Sequence, residues 1–565
     1  MKLIFLLLPL GIMGFLIGQP GKTKPKPVRQ TIYCAPSFDP LKLNAANAPL
    51  FKGLGNLDYR ITTGSPKAQL YFNQGLTLLY AFNHGEAGRS FKAAIKLDST
   101  CAMAWWGLAM VLGPNYNAAL NPSSLTDINE AIDKAMLYAA EASPKEKVLI
   151  HALSKRFPRE AVEDMTPFYA AYASAMKQAW TAFPSDAEIG SLYVDALMNE
   201  HPWNLWLKDG TPQPWTPAIV QTLETLLALS PNHPGINHQY IHTMEASREA
   251  ARALPSARRL GSMLPSAGHL VHMPSHVFIR TGFYHEGVLA NERAAAADSS
   301  YIAQCKVQGV YPMMYYPHNI HFLAACAFLE GNSKKAIDAA WRLSRNADKT
   351  YIQENPAIQH YFSIPYYVLV HLGKWDDILK LVEPDPALEY PGAIWHYARG
   401  MAFAAKGRLE EASLELAAVK AIAKNDALRT KLIWETNSVA DLIQIADLVL
   451  DAEVEGKKKN FGDAIKLLRS AVAIEDKLTY QEPPDWFFSV RHSLGHLQLQ
   501  ARLFSDAEQT YQQDLLTYPE NGWSLMGLIK SMEGQGRKDD AAAVRKRFNK
   551  AWAWADLEIN SSRIY

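Results

Sequence analysis

Residues 71–105 read YFNQGLTLLYAFNHGEAGRSFKAAIKLDSTCAMAW, and their spacing decides the fold. Tyr71, Gly75 and Leu78 stand as large, small and large at i, i+4 and i+7. Ala87, Phe91 and Ala94 stand as small, large and small at the same intervals. Each set keeps to one face of a helix of period 3.6, and Asn83, His84 and Gly85 between them are turn chemistry. The stretch therefore reads as a helical hairpin, in which small residues let the two helices touch and large ones fill the seam with the next pair. Trp105 follows Tyr71 by 34 residues and opens the same pattern again. One pair cannot bury its apolar face alone, so pairs must stack.

The frame returns along the chain. Gly400 and Ala412 are twelve apart, as are Gly75 and Ala87; so are Gly495 and Ala507, with Pro519 closing that repeat. Gly373 and Gly407 are again 34 apart. These positions resemble the tetratricopeptide repeat family over residues 66–556, with about twelve hairpins, some of them degenerate. The resemblance implies an all-α fold, a right-handed α-solenoid whose first helices line a concave groove. Residues 19–65 are poorly periodic and read as an extended N-terminal cap, and 557–565 as a C-terminal tail.

Composition fits this reading. The 565 residues are 48% hydrophobic and 20% charged, which excludes a disordered chain. The net charge is +1, with 57 basic residues against 56 acidic ones, and argues against nucleic acid as a partner. Four cysteines, Cys34, Cys101, Cys305 and Cys326, exclude a disulfide-dense scaffold. Lys2 followed by the apolar run Leu3–Ile17 predicts a signal peptide or short anchor over residues 1–18, and hence export to the periplasm or beyond. Membrane contact is expected only through this segment, if it is not cleaved.

The histidines carry the chemistry. Nine of 17 fall between His233 and His321, a window of 89 residues where the chain-wide density predicts fewer than three. His269, His272 and His276 stand at i, i+3 and i+7, and His318 and His321 at i and i+3. His269 precedes Gly282 by 13 residues, as His318 precedes Gly331 and His360 precedes Gly373; His272 and His321 precede theirs by 10. His238, His242 and Glu245 stand at i, i+4 and i+7 one repeat earlier. In the repeat family the second, fifth, ninth and thirteenth positions face the groove. The resemblance thus implies that His269, His272, His276 and Arg280 face it, with His318 and His321.

Imidazoles crowded in one groove repel when protonated and leave donors and acceptors to satisfy. A transition metal resolves both problems, and copper, iron or zinc suits such donors. The expected ligands are His238, His242, Glu245, His269, His272, His276, His318 and His321. Met273, Met313 and Met314 add thioethers nearby in sequence. Insertions at 199–217, 299–317 and after Leu112 depart from the 34-residue beat and could roof the groove. From these, Trp203, Tyr315 and Tyr316, with Arg280, are the expected substrate contacts.

No H-E-x-x-H, G-x-S-x-G, Walker or dinucleotide signature occurs. Two readings stay open: a metal-dependent protein acting on a small molecule, by redox or hydrolytic chemistry, and a non-enzymatic scaffold whose groove binds an extended peptide. His492 and His496, at i and i+4, lie far along the solenoid and read as a stray pair.

Overall fold

The computed structural model describes residues 48–305 and 314–564. The export segment, residues 19–47 of the cap and Met313 lie outside the described residues. Among the described residues no helix is long and apolar enough to cross a membrane.

Helices begin where local chemistry starts them. Ser65 accepts a hydrogen bond from the Ala68 amide and Pro66 takes the first turn of Pro66–Tyr80; Asn83 accepts from the Glu86 amide to open His84–Leu97. Gly268–His272 and Pro274–Thr281 are two halves of one kinked helix. Counting them so, the described α-helices pair in chain order into twelve antiparallel hairpins. The only strands among the described residues are Leu432–Ile433 and Asn437–Ser438, an antiparallel pair in a loop.

The seam is built as its spacing requires. A Cβ on Gly75 would lie 2.7 Å from the Phe91 ring and one on Gly107 2.4 Å from it, so two successive first helices close on one aromatic ring. Gly495 and Gly527 close on Tyr511 in the same way. This is a tetratricopeptide-like array, an all-α solenoid.

The array winds tightly enough for distant hairpins to meet. Tyr80 at the end of the first helix donates from its hydroxyl to Glu188 at 2.5 Å, and its carbonyl lies 2.6 Å from His238 Nδ1. At the other end, Tyr284 donates to the Pro519 carbonyl at 2.7 Å and Trp523 to the Phe328 carbonyl at 3.1 Å. Two large apolar cores result. One runs from Leu54 to Phe278, joined by Tyr315, and the other from Ile279 to Trp523. The histidine-rich helices stand where these cores abut. The groove implied by the family resemblance is not open there, because residues 478–488 fold back into it: Phe487 stacks on His321 at 5.0 Å, and Glu482 reaches His276 and Arg280. Cys101 and Cys326 are buried unpaired thiols.

Candidate metal centre

Three first helices carry the imidazoles. Pro234–Met244 starts on His233, whose Nδ1 accepts from the Ile236 amide at 3.2 Å, and places His238 and His242 one turn apart. The kinked helix follows. Pro274 lacks an amide proton and breaks the helix at Met273, separating His269 and His272 from His276. Tyr316–Leu329 is third and presents His318 and His321.

Six imidazoles sort into two triads with no shared member. His238, His242 and His269 offer nitrogens that all lie within 4.8 Å of one another; so do His272, His276 and His318. Within the second triad His272 Nε2 and His276 Nε2 are 2.9 Å apart. Two nitrogens bound to one ion at about 2.0–2.1 Å and 90–109° lie about 2.9–3.4 Å apart, so this pair already has a chelating separation.

The hydrogen bonds behind the rings set which nitrogen faces inward. His238 Nδ1 lies 2.6 Å from the Tyr80 carbonyl, and His242 Nδ1 2.8 Å from Glu245 Oε1. His276 Nδ1 pairs with the other oxygen of Glu245. His272 Nδ1 lies 2.7 Å from Asn291 Oδ1, and the Asn291 amide donates to the Gly287 carbonyl at 2.8 Å, which fixes that oxygen toward the ring. All four partners are acceptors, so Nδ1 of His238, His242 and His272 carries the proton and donates, and the Glu245 carboxylate against His276 Nδ1 favours the proton there too. The four Nε2 atoms are left with lone pairs. His238 Nε2, His242 Nε2 and both nitrogens of His269 are buried without a protein partner among the described residues.

Burial disfavours a charge on most of these rings. Burial, then the neighbouring His242, holds His238 well below the ordinary imidazole range. Burial followed by other members of the group does the same for His269, His272 and His318. Glu245 runs the other way. Burial pushes its carboxyl up, but His276 and His242 pull it down to about 2, so it stays ionised. Glu482, whose carboxyl is driven up by its burial, lies within 4.8 Å of Glu245 and His276 and forms a third possible ligand set with them.

Aromatic side chains wall the triads. Phe82 lies 4.5 Å from the His238 ring and 5.6 Å from His269, and Phe322 lies 4.4 Å from His276 and 4.8 Å from His272. Trp203 and Tyr116 stack on each other and both meet His242. Phe82 and Trp203 hold left-handed backbones, φ 54° and 58°, which non-glycine residues rarely adopt.

The expected residues are thus distributed as follows. His238, His242, His269, His272, His276 and His318 converge. Glu245 stands behind His242 and His276, with one oxygen on each. His321 turns away, toward His360 at 5.5 Å, Tyr361 and Phe487. Trp203 touches the first triad and Tyr315 meets His269 at 4.9 Å. Tyr316 is occupied by Arg342, 3.0 Å from its hydroxyl. Arg280 donates to the Thr517 carbonyl at 3.2 Å and lies 3.6 Å from Glu482. Sequence reading passed over Phe82, Tyr116, Asn291 and Glu482. Phe82 precedes the Asn83–Gly85 turn and Tyr116 lies in the insertion after Leu112; no pattern singles out Asn291 or Glu482.

A cavity of about 340 Å³ reaches His242 and Glu245. Trp203, Trp206, Arg280, Tyr480 and Asp485 are among its walls. The 199–217 insertion helps to close it, Trp206 donating to the Thr243 carbonyl at 2.6 Å and Lys208 to the Leu478 carbonyl. Burial pushes two of its carboxyls up, Glu475 to about 8 and Asp485 to about 7.

No protein-family model and no curated protein matches the sequence. Among solved structures, the human IFIT1 dimer with m7Gppp-AAAA is 10% identical over 87% of this chain and 91% of that one, at a TM-score of 0.30. The APC/C hetero-tetramer Cut9–Hcn1 is 13% identical over 86% and 74%, at 0.27. Yeast Tom70 is 10% identical over 86% and 90%, at 0.28. All three cover comparable lengths and superpose only loosely.

Proposed function

We propose that this tetratricopeptide-like chain is a metal-binding protein of the exported class, which holds a transition metal on its central imidazoles and presents it to a small molecule in the adjoining cavity. One observation carries the reading: His272 Nε2 and His276 Nε2 face each other at 2.9 Å, with His272 Nδ1 against the Asn291 oxygen and His276 Nδ1 against the Glu245 carboxylate, contacts that favour the proton at Nδ1. Two lone pairs at that distance repel unless a cation lies between them. Burial, with His276 alongside, holds His272 well below the ordinary imidazole range, which disfavours a proton on that ring. An ion bound by three neutral nitrogens meets the same need and keeps a position open for a ligand.

Copper, zinc and iron all accept such donors. When bound, the ion supplies Lewis acidity or electron transfer. The chain's own residues do the rest: Glu245 and Asn291 hold the ligating tautomers, the aromatic walls exclude water, and Arg280 with Asp485 offers charge and a proton to a bound molecule. The 478–488 segment, folded back against these helices, supports a small molecule over an extended peptide, since it occupies the groove a peptide would need. Protein partners of the solenoid's outer surfaces remain compatible with this reading.

The test is elemental analysis of chelator-stripped protein after exposure to copper, zinc and ferrous ions at micromolar supply and desalting. Retention that disappears in the His242→Ala/His276→Ala double variant supports the reading. A folded wild-type protein that retains none of the three overturns it.

A further inference from the structure

From the two triads we infer a single dinuclear centre: two ions, three imidazoles each, joined at their open positions by one small anion. This rests on the metal-binding reading and goes beyond it in nuclearity and in ligand class.

The imidazoles fall into two sets, each gathered closely enough to hold one ion. Around an ion with bonds of about 2.1 Å no two donor atoms lie more than about 4.2 Å apart. The six imidazoles do not gather within even 4.8 Å as one set; they gather as three and three. Each set is complete in itself, with the three protein nitrogens and open position of a reactive rather than a closed structural site.

The two sets are nonetheless one piece of structure. His242 of the first and His276 of the second lie 5.9 Å apart, ring to ring, and His269 and His272 are also 5.9 Å apart. Glu245 spans the boundary, with Oε1 on His242 Nδ1 and Oε2 on His276 Nδ1. His269 and His272 occupy successive turns of the same short helix, Gly268–His272. An ion in either set fixes the rings that define the other.

Charge names the ligand. All six ligands are neutral, so two divalent ions bring four positive charges into a buried site. The carboxyl groups of Glu245, on His242 and His276, and of Glu482, beside His276, offset at most two of them. The excess selects an anion, and one that binds both ions places its charge where it offsets most. Hydroxide and small linear or diatomic anions fit that description, in a site walled by Phe82 and Phe322. The cavity at His242 and Glu245 offers a route of entry.

The test uses Cu(II) alone, then Cu(II) with azide, on the full chain. Wild type is expected to retain two copper ions per chain, and their paramagnetic resonance signal to integrate to less than about one fifth of two independent spins, since a bridging anion couples them. His318→Ala, which opens only the second triad, and His269→Ala, which opens only the first, are each expected to retain one copper with a full one-spin signal. Azide should shift the visible absorption of the two-copper form at one equivalent and leave the one-copper forms unchanged at that level. Two coppers with full two-spin intensity, or one copper in wild type that either variant abolishes, overturns the dinuclear centre while leaving metal binding standing. Retention of no copper overturns both.

Discussion

The chain buries two groups of histidines, and they behave oppositely. At the centre, six imidazoles turn their nitrogens toward one another. Near the C-terminus, His371 and His492 lie 5.2 Å apart ring to ring, with His496 one turn beyond His492, yet the described residues form no three-ligand set there. His492 Nε2 meets Asp514 at 3.1 Å and His496 Nδ1 meets Ser561 at 2.6 Å. Asp514 also accepts from Ser524 at 2.6 Å and Asn521 at 3.0 Å. Crowding and burial are alike in the two regions. What differs is the direction of the acceptors: behind the rings at the centre, so that lone pairs converge, and between the rings and their surroundings at the end, so that each imidazole ties down a piece of chain.

Variants should separate the two regions. The largest effect is expected from His272→Ala/His276→Ala, which should lose more than about 100-fold in metal affinity, beyond the 10–100-fold that a second-shell partner costs. Competition with a chelator of known affinity measures it. His492→Ala should do the reverse, leaving affinity within about twofold while lowering stability by about 3–5 kcal/mol, because Asp514 would keep its charge without its imidazole. Urea unfolding with and without metal reads both.

Glu245→Gln comes next. An amide can accept from only one of the two rings, and affinity should fall by about 10–100-fold with little change in fold, read by the same competition. A change as large as that of the double variant would instead make Glu245 a ligand. The smallest effect concerns two histidines outside both groups. Burial, reinforced at His84 by Arg156, lowers His84 to about 4, and burial lowers His360 to about 3. A depressed imidazole binds its proton more readily in the unfolded chain, so stability is full above about pH 6.5 and falls as pH drops through the window between that value and the folded one. Each should contribute up to about 1.4 kcal/mol per pH unit there, visible as a falling Tm of metal-free protein between pH 7 and 5. The His84→Gln/His360→Gln variant should show a shallower fall, the remaining slope coming from the central imidazoles.

The hairpins were legible because Gly75 and Phe91 interact within one repeat, and a 34-residue beat reports such contacts directly. So were the six converging imidazoles, since helical register puts their side chains on neighbouring faces. The division into triads was not. It depends on the heights at which three helices cross and on the break at Pro274, which spacing does not encode. His321 shows the limit of register: three residues advance a helix by about 300°, which turns it about 60° from His318 and onto the next hairpin. Glu482 and Phe487 come from a loop some 200 residues away in sequence, brought in only by the winding of the whole array.

That winding has a consequence for how the chain can change. Repeat arrays ordinarily lengthen or shorten by whole modules, since each touches only its neighbours. Here Pro519 sits so close to Gly282 that a Cβ on the glycine would lie 2.8 Å from its carbonyl oxygen, and Asp556 receives the amides of Ser333 and Lys334 at 2.7 and 2.9 Å. Inserting or deleting one hairpin between them would rotate those partners out of reach. The protein is modular in construction but not in inheritance: its number of repeats is set by the need to return to its own middle.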